Sequence, residues 1–121
     1  MTGCPFCDTA DAVLENALAY ARFDKYPVTP GHLLLLPRRH VASFFDTTPA
    51  EQAALLALLD DAKRLLDARH APHGYNVGIN VGEAAGQTVM HVHVHLIPRY
   101  RGDVENPRGG VRGVIPAKQN Y

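Results

Sequence analysis

The run His91-Val92-His93-Val94-His95-Leu96-Ile97 places an imidazole at every second position, with aliphatic residues between. Side chains of an extended strand alternate between faces, so this spacing predicts a strand over 91–97. Its three histidines lie on one face about 6.7 Å apart, with Val92, Val94 and Leu96 on the other. Three imidazoles in a row are not a packing solution. Two chemistries use such a row: a three-histidine zinc site with an open water position, and nucleophilic catalysis, in which a neutral imidazole attacks phosphorus while its neighbours handle protons and charge. Gly82, Gly86, Gln87 and Thr88 stand just ahead of the row. Small residues that let backbone N–H groups approach an anion, together with two side-chain donors, favour phosphorus.

At 121 residues, with 46% hydrophobic and 20% charged side chains, the chain has room for one globular domain and is unlike a disordered one. Twelve Lys and Arg balance twelve Asp and Glu, so no overall field draws the chain to nucleic acid or to an anionic membrane. The balance is local, however. Residues 99–121 carry Arg99, Arg101, Arg108, Arg112 and Lys118 against Asp103 and Glu105, which makes 100–121 a basic C-terminal extension of the single domain 1–121. Two cysteines do not suggest a disulfide scaffold, no signal-peptide pattern is evident, and the apolar runs are too short to span a bilayer. A cytoplasmic protein is expected.

A long helix is predicted from Pro49 to Arg69. Thr48, Pro49 and Glu51 form a capping box, Leu55, Leu58, Leu59, Ala62, Leu65 and Leu66 recur at helical spacing, and Pro72 stops the helix. Leu33–Leu36, between Pro30-Gly31 and Pro37, reads as a buried strand, and Tyr75–Val81 alternates as another. The strand over 91–97 is expected to end at Pro98. Residues 11–24 fit a helical face through Val13, Leu14, Ala17, Leu18 and Ala21, although Ala17–Phe23 also alternates as a strand. Periodicity alone favours the helix.

His-Val-His-Val-His-Leu-Ile resembles the signature of the histidine triad superfamily of nucleotide hydrolases and transferases, and Ala85–His91 resembles the segment that precedes it. Asp24, His32 within Pro30-Gly31-His32, and Pro37-Arg38-Arg39-His40 extend the likeness over Cys4 to about Arg99. Gly86-Gln87-Thr88 and Pro98-Arg99 are most similar to the branch that cleaves diadenosine polyphosphates. The resemblance implies an α+β fold, an antiparallel sheet of about five strands with the long helix packed on it, usually as a homodimer. It also turns residues 11–24 into two strands with Glu15-Asn16 near their turn. One departure stands out: the family often has an aromatic residue two before the aspartate, and Arg22 occupies that position, so an altered base pocket is expected.

The implied substrate is a purine nucleotide, either a dinucleoside polyphosphate or a nucleoside phosphoramidate, cleaved to a nucleoside monophosphate through a nucleotidyl-histidine. His93, the middle imidazole, is the expected nucleophile; an ordinary imidazole with a pKa of about 6.5 is largely neutral at pH 7. His91 flanks it, and His95 and His32 are expected to contact the phosphate and the leaving-group oxygens. Asn80, Gln87 and Thr88 are candidate phosphate contacts. Asp24 is the candidate ribose anchor, because a carboxylate can accept from both hydroxyls, and Phe6 packs on the base by analogy. Phosphorolysis or transfer to another acceptor remains an alternative, as does a nucleotide-binding interaction module with little turnover.

Cys4-Pro5-Phe6-Cys7 supplies two thiolates, which cannot complete a tetrahedral zinc site by themselves. If strand 32–36 runs antiparallel to strand 91–97, His40 comes near His91 while His32 falls near His95. That separates a metal end from a catalytic end. A structural zinc on Cys4, Cys7, His40 and His91 is therefore expected, with the chemistry itself needing no metal; the uridylyltransferase branch of the superfamily holds zinc in a similar way. In the extension, Arg108 or Arg112 could neutralise distal phosphates or lie on a solvated loop.

Overall fold

The computed structural model describes residues 3–121. Six elements follow in chain order: β1 (Leu14–Glu15), β2 (Ala19–Phe23), β3 (Leu33–Pro37), α1 (Pro49–His70), β4 (Gly74–Ile79) and β5 (Val94–Arg99). The strands form one antiparallel sheet in the order β1-β2-β3-β5-β4. The expected α+β fold of five strands and one long helix is the observed one.

The helix begins where the capping box places it. Thr48 accepts from the Glu51 backbone N–H and Glu51 accepts from that of Thr48, satisfying two of the donors that a helix start leaves open. Glu51 also receives both forks of the Arg39 guanidinium, at 2.8 and 3.1 Å, which ties the segment after β3 to the helix start. Leu55, Leu58, Ala62 and Leu66 face the sheet and bury against Ala19, Ala21, Leu33, Leu35, Val94 and Leu96. The opposite sheet face carries Tyr20, Leu34 and Leu36, with Phe6 and Ala12 packed on them, and is left free of the helix.

Three sequence expectations are corrected. Residues 11–24 are the two strands that the resemblance implies, not the helix that periodicity favours. Asn16 turns the chain by accepting from the N–H groups of Leu18 and Ala19, and Ala19–Arg22 are buried on both faces, which removes the one-sided pattern a strand would show in water. The predicted strand 91–97 is shifted: β5 starts at Val94, so His91 and His93 lie in the segment before it, with a bend at His91. It also runs through Pro98 to Arg99. Pro98 faces Tyr75 on one side, while on the other β3 does not reach it and Thr29 Oγ1 donates to the Pro98 carbonyl. No ladder bond needs the missing N–H. Lastly, β4 stops at Ile79 rather than Val81, which frees Asn80 at the mouth of the sheet.

Candidate active site and metal centre

Register decides which histidines meet. β3 and β5 are antiparallel with Leu34 opposite His95, so the chain entering β3 passes the middle of β5 and the chain leaving β3 passes the segment before β5. His32 and His95 accordingly touch, Nε2 to Nδ1, at 2.9 Å. At the other end Val92 N–H bonds the Val41 carbonyl, and the His40 and His91 rings cross edge to face at 5.2 Å.

Gly31 sets the entry to β3. Its φ of +92° is open chiefly to glycine, and a Cβ there would lie 2.8 Å from His70 Cδ2 at the end of α1. The tight turn lets Val28 N–H donate to His32 Nδ1 at 3.1 Å. That bond fixes the proton of neutral His32 on Nε2, from which it is donated to His95 Nδ1; the proton of neutral His95 is then on Nε2. Asp24 Oδ2 stands 3.6 Å from His32 Nε2. His93 has the reverse arrangement. Its Nδ1–H donates to the His91 carbonyl at 3.0 Å, which leaves an unprotonated Nε2. Burial, and then the neighbouring His93 and His32, push the His95 pKa down to about 4. Burial likewise holds His32 below its ordinary value against the opposing charge of Asp24.

These directions separate the two chemistries open to the histidine row. The three imidazoles do not converge on one point, and Asp24, His32 and His95, which do converge, are joined by a proton already shared between the two rings. At the other end, Cys4, Cys7, His40 and His91 bring one ligand atom each within 4.8 Å of all the others. Cys4 Sγ lies 3.5 Å and Cys7 Sγ 3.6 Å from His91 Nδ1, and Cys7 Sγ lies 3.3 Å from His40 Nδ1. A tetrahedral zinc with ordinary Zn–S and Zn–N bonds has S···N edges of about 3.5 Å. The cluster fits. His91 donates Nε2–H to the Pro37 carbonyl at 2.7 Å, which orients Nδ1 toward the sulfurs. Burial keeps the His91 pKa low against the pull of the Pro37 carbonyl, so the ring offers a lone pair. The four side chains can hold a metal ion.

A cavity of about 550 Å³ opens on the helix-free face and is lined by His93, His95, Asp24, Phe6, Asn80 and Thr88 among others. Its volume suits a small-molecule ligand. Phe6 meets the His93 ring edge-on at 5.1 Å. Asn80 makes no side-chain hydrogen bond to a described residue. Asp24 Oδ1 accepts from Tyr26 N–H, while Oδ2 faces His32.

Gln87 is the exception among the candidate phosphate contacts. It is buried, donates Nε2 protons to the Ala42 and Val89 carbonyls, and accepts from Gly82 N–H. Both amide protons go to backbone carbonyls, one in its own loop and one in the segment after β3, so it braces the glycine turn against that segment instead of facing the cavity. Arg22, at 4% exposure, lies under the Phe6 ring and donates to the Pro5 carbonyl and to Asp11. The departure from the family pattern thus sits in the cavity wall and grips the Cys4–Cys7 loop. Sequence reasoning did not reach Leu34, Lys25, Tyr26 and Val89, which also line the cavity. For Leu34 the sequence indicated a place in a buried strand and nothing more.

A HIT domain family model matches residues 8–102. The chain is 42% identical over 92 residues to an AP-4-A phosphorylase of Mycobacterium tuberculosis, covering 75% of this chain and 47% of that protein. It is 40% identical over 89 residues to a bis(5'-nucleosyl)-tetraphosphatase [asymmetrical] of Schizosaccharomyces pombe, covering 74% and 49%. The chain therefore spans about half the length of these curated relatives. A zinc-bound histidine triad family protein from Mycobacterium smegmatis superposes with a TM-score of 0.75 at 33% identity, over 86% of this chain and 80% of that one. With the family model covering most of the sequence and the fold shared at this identity, the chain belongs to the HIT domain family.

Proposed function

We propose that the protein is a nucleotide hydrolase that takes a nucleoside monophosphate from a dinucleoside polyphosphate or a nucleoside phosphoramidate and gives it to water. The observation that carries this reading is the opposed polarity of two neighbouring imidazoles whose centroids are 5.0 Å apart. His93 has a lone pair on Nε2, while neutral His95 carries its proton on Nε2. One is suited to form a bond to phosphorus and the other to donate to phosphate oxygens.

In this mechanism His93 Nε2 bonds to the α-phosphorus as the phosphorus–oxygen bond to the leaving nucleotide breaks and the electron pair departs with that oxygen; with a phosphoramidate the phosphorus–nitrogen bond breaks instead, and the departing amine takes a proton from solvent. Water then attacks the same phosphorus, the nitrogen–phosphorus bond breaks, and the proton from water passes to solvent. His95, with His32 behind it, donates to the phosphate. Asn80 and Thr88 supply further donors, Asp24 accepts from the ribose hydroxyls, and Phe6 packs on the base. His91 contributes through its carbonyl, which holds the His93 ring. Zinc on Cys4, Cys7, His40 and His91 is a structural ion in this reading. The free thiols suit a cytoplasmic protein. A homodimer completes the proposal, supported by the edge position of β4, where Val77 is 44% exposed.

The relative named as a phosphorylase favours a second reading, in which phosphate replaces water. Incubation with diadenosine tetraphosphate distinguishes the two. Hydrolysis yields AMP and ATP with or without added phosphate, whereas phosphorolysis yields ADP and ATP only with it. Tight nucleotide binding with no product in either condition would overturn both and leave a binding module.

A further inference from the structure

A second cavity, of about 380 Å³, adjoins the first, and the two share His95 and Asn80 in their walls. Its floor is the helix-free face of β5 and β4, with Ile97 beside His95 and with Gly78 opposite His95 in the register. Its roof is the short helical turn Gly110–Val114, which contributes Val111 and Val114. That turn lies beyond residues 8–102, so this wall is outside the part matched by the family model. Val114 is 78% exposed and Val111 60%, an apolar pair standing over a hollow beside the catalytic histidines.

We propose that this second cavity binds the leaving nucleoside of a dinucleoside polyphosphate; the inference rests on the nucleotide-transfer reading above. In-line displacement sends the leaving group away from the attacking atom. His93 lines only the first cavity and His95 lines both, so a group that leaves away from His93 and past His95 enters the second. The polyphosphate bridge then lies across His95 and Asn80, with one nucleoside on either side. The walls suit a base: aliphatic side chains cover its faces, and Asn76 offers an amide donor. Arg99 Nη1 donates to Asn76 Oδ1 at 2.6 Å, and Asn76 Nδ2 lies 3.3 Å from the place a Cβ of Gly110 would occupy. The pocket thus combines apolar walls with one oriented polar group, the usual make-up of a small-ligand site.

Gly78 provides the test from the floor. A Cβ added there meets nothing within 4 Å and Gly78 lies within β4 without a left-handed φ, so Gly78→Val puts bulk into open space at a backbone conformation suited to a β-branched residue. The double variant Val111→Ala with Val114→Ala strips the roof from exposed positions without changing charge. Both should bind AMP within about two-fold of the parent, since AMP occupies only the first cavity. Both should lose ten-fold or more in kcat/KM for diadenosine tetraphosphate, mainly through KM. Unchanged kcat/KM in both variants, or an equal loss in AMP affinity, would overturn the assignment. A parent protein that makes no mononucleotide from the tetraphosphate would instead overturn the nucleotide-transfer reading itself.

Discussion

His93 and His95 are the same residue type two positions apart, and their protons point to different tasks because their partners differ. A backbone carbonyl takes the Nδ1 proton of one, and a third histidine donates to Nδ1 of the other. His93→Ala should therefore lose turnover by a thousand-fold or more while AMP affinity, measured by calorimetry, stays within a few-fold. Asp24→Ala should erase the preference for AMP over 2′-deoxy-AMP, read as a ratio of affinities near one. The low pKa values of His95 and His32 also predict acid sensitivity. Both histidines bind protons less readily folded than unfolded, so the unfolded state gains protons first as pH falls. The contribution of His95 is complete above about pH 6.5 and declines toward about pH 4, and that of His32 falls in the same direction. Urea midpoints at pH 7 and pH 5 should show the lower value at pH 5. Which histidines would meet was legible in the sequence, since antiparallel pairing alone sends His32 to His95 and His40 to His91. The fate of Gln87 was not, because an amide in a glycine loop faces a ligand or the loop according to carbonyls that sequence spacing does not locate.

The elements differ in how plainly their sequences declare them. α1 has a cap, a stripe and a stop, three local signals that agree, and it spans Pro49–His70. β2 has no such agreement: buried on both faces, it loses the alternation that marks a half-exposed strand, and its true pairing depends on residues far along the chain. β5 misleads in another way. The alternation of histidine and aliphatic residues starts ahead of the ladder, at the bend around His91, so the row could reveal a strand but not where its pairing begins. The end of α1 offers a stability test. Ala71 adopts φ +46°, a left-handed conformation that costs a residue with a Cβ. Ala71→Gly should raise stability by about 0.5–1 kcal/mol, seen as an increase of a few degrees in Tm. At the other end, Thr48→Ala removes one half of the capping box and should cost about 1 kcal/mol without altering AMP affinity.

Across the whole molecule the helix and its leucines occupy one side of the sheet, and both candidate sites occupy the other or its end. The sheet insulates the packing from the chemistry, so large changes under α1, such as Leu58→Ala at about 2–5 kcal/mol, should reduce stability well before they alter nucleotide affinity. The candidate metal centre is the contribution of long-range topology: the Cys4–Cys7 pair, His40 and His91 meet only once the antiparallel register is in place. Protein purified without added metal should hold about one zinc per chain. Cys4→Ser with Cys7→Ser should remove it and lower Tm, and a full complement of metal in that variant would place the ion elsewhere.

His91 belongs to both ends of this arrangement, but by different atoms: its ring faces the sulfurs, whereas its main-chain oxygen holds the His93 ring. Every amino acid has such an oxygen. The His93 ring is thus steadied by a group that substitution does not remove, while the candidate metal centre depends on one that it does. His91→Ala should empty the candidate metal centre and yet leave the His93 proton on Nδ1, a tautomer that nitrogen NMR would report, so the two sites can change independently although one residue serves both.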